Sequence, residues 1–239
     1  MTGAENAPPL RWYGRRGGHR LRKARRERLE RLLPALRLVP PEPGGGAVDL
    51  AAVFGTPPSD VWLEVGFGAG EHLAAQAGAH PGTAMVGCEP YVAGVASLLS
   101  IIERESLTNI RIFNDDARLL LDSLPEASIG RVFVLFPDPW PKTRHHKRRF
   151  IAPGTLDALA RVMKDGAELR FATDHMGYVR WTLDHTIRNP AFVWLARRPS
   201  DWRRRPPDGF ETRYERKAAG LGLASVHLGF CRRNRVRTD

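Results

Sequence analysis

Leu63-Glu-Val-Gly-Phe-Gly-Ala-Gly70 follows a short apolar run, Val61–Val65, and opens a helical pattern at Glu71. A chain that passes from strand through a glycine turn into helix brings bare backbone close to a ligand. The spacing restricts which ligand. A dinucleotide-binding turn needs G-x-G-x-x-G/A, and counted from Gly66 and Gly68 its last position falls on Glu71, whose carboxylate would stand where a pyrophosphate should bind. S-adenosylmethionine carries a cationic sulfonium and no phosphate, so an acid before the glycines, Glu64, is compatible with it.

Working outward, short apolar runs alternate with helical patterns, as expected for a parallel sheet covered by helices on both faces. Strands are expected at Val61–Val65, Ala84–Glu89, Ile110–Asn114, Arg131–Phe136 and Glu168–Thr173, with helices at Glu71–Ala79, Val92–Glu105, Thr155–Met163 and Met176–Arg188. Two late apolar stretches, Phe192–Ala196 and Leu223–Cys231, have no obvious helix between them and read as a closing antiparallel pair. Glu89 ends the second strand 25 residues after Glu64, where a carboxylate can accept from both ribose hydroxyls. Asp116, beside Asp115, ends the third strand, where a carboxylate can accept from an adenine amino group. Strand-end acids also serve as turn and cap residues, so each alone is ambiguous.

The net charge is +11 over 239 residues, and its distribution matters more than its total. Arg11–Arg37 carries +9, Lys142–Arg149 +5, Arg197–Arg205 +4 and Arg232–Arg237 +4, which leaves about −11 for everything else. Basic patches on a mildly acidic body suit phosphate binding, although a single patch also reads as a solvated loop. Residues 1–47 read as a basic, flexible N-terminal tail ending in the breakers Pro40, Pro41, Pro43 and Gly44–Gly46. Within it, Arg20–Leu36 has the spacing of a basic helix that could order on RNA. Cys88 and Cys231 lie far apart, with no clustered Cys/His set, so neither a disulfide framework nor a metal site is expected. No run approaches the roughly 20 apolar residues of a membrane span. A soluble, cytoplasmic protein is expected.

The fourth strand leads into Val134-Leu-Phe-Pro-Asp-Pro-Trp-Pro-Lys-Thr-Arg-His-His-Lys-Arg-Arg-Phe150. Three prolines around Asp138 restrict the backbone at the carboxyl end of a strand, where ligands of open α/β sheets bind. A run of cations follows at once, which puts positive charge beside the crevice. The glycine turn and its ordered acids resemble the class I methyltransferases. The segment Phe136–Phe150, with Thr173-Asp-His175 and Thr212-Arg-Tyr-Glu215, closely resembles the bacterial tRNA (guanine-N7-)-methyltransferases over roughly Val61–Cys231.

That resemblance implies a Rossmann-like class I methyltransferase fold: a mostly parallel seven-stranded sheet with helices on both faces, spanning residues 48–239, its seventh strand antiparallel. It implies methyl transfer from S-adenosylmethionine to N7 of a guanosine in the tRNA variable loop. Glu64, Gly66, Gly68, Gly70, Glu89 and Asp116 are then the expected cofactor contacts, and Asp138 the catalytic carboxylate, also near the methyl donor. Lys142, Asp174, Thr212, Arg213, Tyr214 and Glu215 resemble substrate contacts, and Arg144, His145, His146, Lys147, Arg148 and Arg149 an RNA-interacting loop. Pro90-Tyr91 departs from the shorter, more polar residues expected after Glu89. The expected partner is tRNA, with no membrane and no metal, and the expected assembly is a monomer or homodimer. Rival readings are a methyltransferase with another RNA or protein target and a non-catalytic RNA-binding module. An NAD-dependent oxidoreductase is disfavoured by Glu71.

Overall fold

The computed structural model describes residues 21–42 and 45–236; expectations for residues 1–20 lie outside them. Seven strands form one sheet: β1 (Asp60–Val65), β2 (Thr83–Cys88), β3 (Ile110–Phe113), β4 (Ile129–Leu135), β5 (Met163–Thr173), β6 (Phe192–Trp194) and β7 (Val226–Arg232), in the order β3-β2-β1-β4-β5-β7-β6. β1 to β5 pair in parallel, and β7 runs antiparallel to both β5 and β6. The helices are α1 (Lys23–Leu36), α2 (Leu50–Phe54), α3 (Glu71–Ala79), α4 (Val92–Glu105), α5 (Ala117–Ser123), α6 (Pro153–Val162), α7 (Met176–Arg188), α8 (Ser200–Arg203) and α9 (Arg213–Gly220).

Alternation along the strands divides the core. Val61 and Leu63 join Val86, Val132, Val134 and Phe171 under α5, α6 and α7. Trp62, Met85, Ile112 and Phe133 point the other way, against α3 and α4. Burial on both faces is why these strands read as nearly continuous apolar runs.

The five expected parallel strands and the late antiparallel pair are all present, with shifted ends. β5 begins at Met163 rather than Glu168 because α6 passes straight into it, and α6 starts earlier than expected, with Pro153 in its first turn, where a missing N–H costs nothing. Helices α2, α5, α8 and α9 are absent from the sequence reading. The first three are at most seven residues long, too short for periodicity to register. α9 did carry a signal: Thr212 and Glu215 have capping spacing, and the Thr212 hydroxyl accepts from the Glu215 N–H at 3.1 Å.

The helix expected at Arg20–Leu36 spans Lys23–Leu36 and lies on α4. Leu29, Leu32, Leu33 and Leu36 pack against the α3/α4 side of the core. Arg28 bonds Glu103 at 2.7 Å and Ser100 at 2.9 Å, and Arg31 pairs with the same Glu103. Beyond the helix, the Leu38 N–H donates to the Ile112 carbonyl at 2.9 Å, which continues the sheet one bridge past β3. The ion pairs are solvated and weak; the leucines and the buried Leu38, 1% exposed, hold this segment. Leu38→Ala should therefore lower unfolding stability by about 2–5 kcal/mol in a denaturant titration. Glu103→Gln should leave the midpoint nearly unchanged, and a large shift there would mean that the ion pairs, not the leucines, dock α1.

Candidate active site

At the carboxyl ends of β1 to β4 lies a cleft of about 440 Å³. Its size falls within the roughly 300–1,000 Å³ of small-molecule sites. The turn after β1 forms one wall through Gly66 and Gly68, while Gly70, expected as a cofactor contact, does not line the cleft and leads into α3; the three glycines have φ of 73°, 59° and 87°. At Gly70 a β-carbon would lie 2.6 Å from the Leu98 side chain on α4, so the turn demands glycine for conformation and for closeness of packing. Glu89, 8% exposed, braces this wall. Its carboxylate accepts from the Gly68 N–H at 2.8 Å and the Tyr91 N–H at 2.9 Å. Burial lifts its pKa, the two N–H donors oppose that rise, and the negative charge of Asp138 adds to it.

The opposite wall is the proline-rich loop after β4. Val65 pairs with Val134 in the sheet, so the chain leaves β1 and β4 side by side, and Gly66, Gly68, Phe136 and Asp138 line one cleft. Phe136 and Trp140, which bracket Pro137-Asp138-Pro139, have φ of 49° and 43°. Left-handed backbone at a bulky residue costs on the order of 1–3 kcal/mol, and here two such residues flank one carboxylate.

After the loop, Thr143–Arg148 form a 3-10 turn, whose three-residue period stacks side chains three apart. The basic run divides accordingly. Arg144 and Lys147 are exposed, as is Lys142 ahead of them. His145 and Arg148 both meet the Trp140 ring, at centroid distances of 5.9 and 4.7 Å. His146 and Arg149 both turn inward to Trp181, at 5.3 and 5.1 Å. His145 is held below its ordinary pKa, by desolvation and then by Arg148, Arg144 and the two lysines. Arg149, expected to face RNA, is 2% exposed; the period that exposes Arg144 and Lys147 buries it.

Other expected site residues divide between the cleft and its surroundings. Glu64 does not line the cleft. Strand alternation turns it toward α3, where it is 3% exposed and 2.7 Å from Nδ1 of His72. Asp116 does line the cleft, but it also caps α5 through the Arg118 N–H at 3.0 Å and pairs with the Arg118 guanidinium at 2.8 Å. Arg213 and Tyr214 line it too: the Arg213 guanidinium donates to the Tyr214 hydroxyl at 2.9 Å, and the Tyr214 ring lies over Gly68. Thr212 and Glu215 face a second cavity, also lined by Phe136, in which Glu215 approaches Arg205 at 3.2 Å and His227 at 3.5 Å. Burial pushes the His227 pKa down. Asp174 follows β5 without lining either cavity. Arg118 escaped the sequence reading: it donates to the Arg148 and Arg149 carbonyls, tying Asp116 to the end of the 3-10 turn, and nothing in its local sequence signals that long-range contact.

A mostly parallel seven-stranded sheet with one reversed strand, a glycine turn after β1 and a carboxylate ending β2 together define the class I S-adenosylmethionine-dependent methyltransferases. The fold matches the crystal structure of the 16S rRNA methyltransferase KamB with a TM-score of 0.56 at 17% identity, covering 79% of this chain and 95% of that one. A family model, Methyltransf_4, described as "Putative methyltransferase", matches residues 58–228. A tRNA (guanine-N(7)-)-methyltransferase of Rhodospirillum rubrum is 50% identical over 95% of this chain and 89% of its own length. One of Nitrobacter hamburgensis is 47% identical over 92% and 86%. The chain belongs to the tRNA (guanine-N(7)-)-methyltransferase family.

S-adenosylmethionine is the methyl donor, and the residues of the cleft fit it: Gly66 and Gly68 leave backbone bare on one wall, and the buried Glu89 supplies a carboxylate. An ionised Glu89 would accept from the ribose hydroxyls, so donor affinity should fall as pH is lowered through the raised pKa of this group. Glu89→Gln should bind the donor about 10- to 100-fold more weakly, corresponding to about 1.5–3 kcal/mol for a hydrogen bond to a charged group, and should lose that pH dependence. Calorimetric titrations across the acid range check both; an unchanged pH profile in the variant would assign the dependence elsewhere.

Proposed function

We propose that this protein transfers the methyl group of S-adenosylmethionine to N7 of a guanosine in the variable loop of tRNA, in the cytoplasm. The observation that carries the reading is that Asp138, the glycine turn and Arg148 line one cleft, with Lys142, Arg144 and Lys147 exposed beside it. Residues 48–239 carry the catalytic site. Of the segment before them, the exposed cations Arg22, Lys23, Arg25 and Arg26, at and before the start of the docked helix α1, are assigned to the RNA.

Gly66, Gly68 and Glu89 would hold the donor, which supplies a methyl group on a positively charged sulfur. Guanine N7 has an in-plane lone pair and loses no proton, so the reaction needs positioning more than a strong base. The ring becomes cationic as it gains the methyl group. Asp138 supplies a fixed negative charge where that charge develops, or accepts from the guanine N1/N2 edge. Lys142, Arg144 and Lys147 attract phosphates and set the register of the RNA without reading its bases. Asp174 and the Thr212–Glu215 segment are assigned to the substrate side.

Incubation with labelled donor and unmodified tRNA, followed by reduction and aniline scission, tests the product directly: cleavage at one guanosine is expected, and label without scission would point to another target atom. Asp138→Asn should keep donor binding while its single-turnover rate falls about 100- to 1000-fold, or about 2.7–4 kcal/mol. A rate near that of the unmodified enzyme would remove Asp138 from the mechanism.

A further inference from the structure

We infer that Arg149 is a positioning residue that aims Asp138, not a contact for RNA. The inference rests on the proposed role of Asp138. Among the described residues Arg149 is the largest fully buried side chain, and no carboxylate there lies within ion-pair distance of it. A buried guanidinium without a counter-ion is costly unless its donors and its charge are satisfied in another way. Here Nε donates to the Pro139 carbonyl at 2.9 Å and one terminal nitrogen to the Gly177 carbonyl at 3.4 Å. The charge lies 4.9 Å from the Tyr178 ring and 5.1 Å from Trp181, where the ring quadrupoles attract it.

What this arrangement holds is specific. Pro137 and Pro139 have no N–H, so the loop that carries Asp138 lacks two backbone donors with which to tether itself. Its flanking residues, Phe136 and Trp140, are left-handed, a conformation that persists only where the surroundings enforce it. Arg149 grips the carbonyl of the residue next to Asp138 and ties it to the first turn of α7. Its neighbours fix the anchor point: the Tyr178 hydroxyl accepts from the Phe150 N–H at 2.9 Å, and the Trp181 indole donates to the Ile151 carbonyl at 2.6 Å. A planar fork can reach two carbonyls on different elements at once, which a lysine ammonium does not reproduce.

Arg149→Lys and Arg149→Met, each measured below its own melting temperature, separate the two roles. A positioning role predicts tRNA affinity and its salt dependence within about twofold of the parent, while the single-turnover rate at saturating tRNA falls roughly 100-fold, as for a reacting group displaced by about 1 Å. The lysine variant should retain more of the rate than the methionine one. Arg144→Ala with Lys147→Ala should do the reverse, with weaker binding and a shallower salt slope. If Arg149→Met does not fold, the lysine variant combined with Asp138→Asn decides. A positioning residue has little left to lose once the carboxylate is gone, so the double variant should match Asp138→Asn within about threefold. Additive losses in rate, or loss of tRNA affinity at unchanged rate, overturn the inference. A parent enzyme that does not methylate tRNA overturns the functional reading and this inference together; an active parent with a normal Arg149→Lys rate overturns this inference alone.

Discussion

The parallel pairing of β1 with β4 is the constraint from which the site follows. From β1 the chain winds outward through β2 and β3, then returns to the centre and winds the other way through β4 and β5. At such a reversal the segments leaving neighbouring strands diverge toward opposite faces and leave a crevice between them. The pairing of Val65 with Val134 sets the glycine turn and the proline-rich loop across that crevice. No side chain in either segment needs to reach far, because main-chain hydrogen bonding has already brought the two walls together.

A second consequence concerns charge. The run from Lys142 to Arg149 looks uniform as a string, yet the 3-10 turn separates it into an outward pair, a pair over Trp140 and a pair over Trp181. Exposed cations beside the cleft and a buried cation bonded to the proline-rich loop are thus built from neighbouring residues of one type. Local concentration of positive charge raises the cost of each cation. Desolvation and the surrounding cations hold His145 below its ordinary pKa.

Much of the architecture was legible because buried parallel strands and amphipathic helices leave periodic traces. The five parallel strands, the antiparallel closing pair, α3, α4, α6 and α7 were all readable. Short helices were not, since α5 and α8 complete at most two turns. α9 leaves little apolar periodicity, since Ala218 is its only buried residue, and its capping pair Thr212 and Glu215 is the one local trace of it. Within the site, Gly66, Gly68, Glu89, Asp116 and Asp138 could be placed at strand ends by counting, and they do meet at one cleft. Glu64 could not be placed in the same way: adjacency to the glycines says nothing about which face of the sheet its side chain takes, and the pleat turned it toward His72.

The sequence by itself determined the fold class and which strand ends carry glycine and acid, because both depend on local spacing and on backbone geometry that each residue type imposes on its own neighbours. Only the tertiary structure decided which members of those motifs face the cleft and which serve the scaffold. Arg149 turned inward, Glu215 joined His227 across a second cavity, and Asp116 became both a cleft residue and a helix cap. These outcomes depend on contacts between residues far apart in the chain, such as Arg118 with Arg148 and Arg149, or Arg149 with Gly177. Burial and partnership are properties of the packed molecule, and no local pattern encodes them.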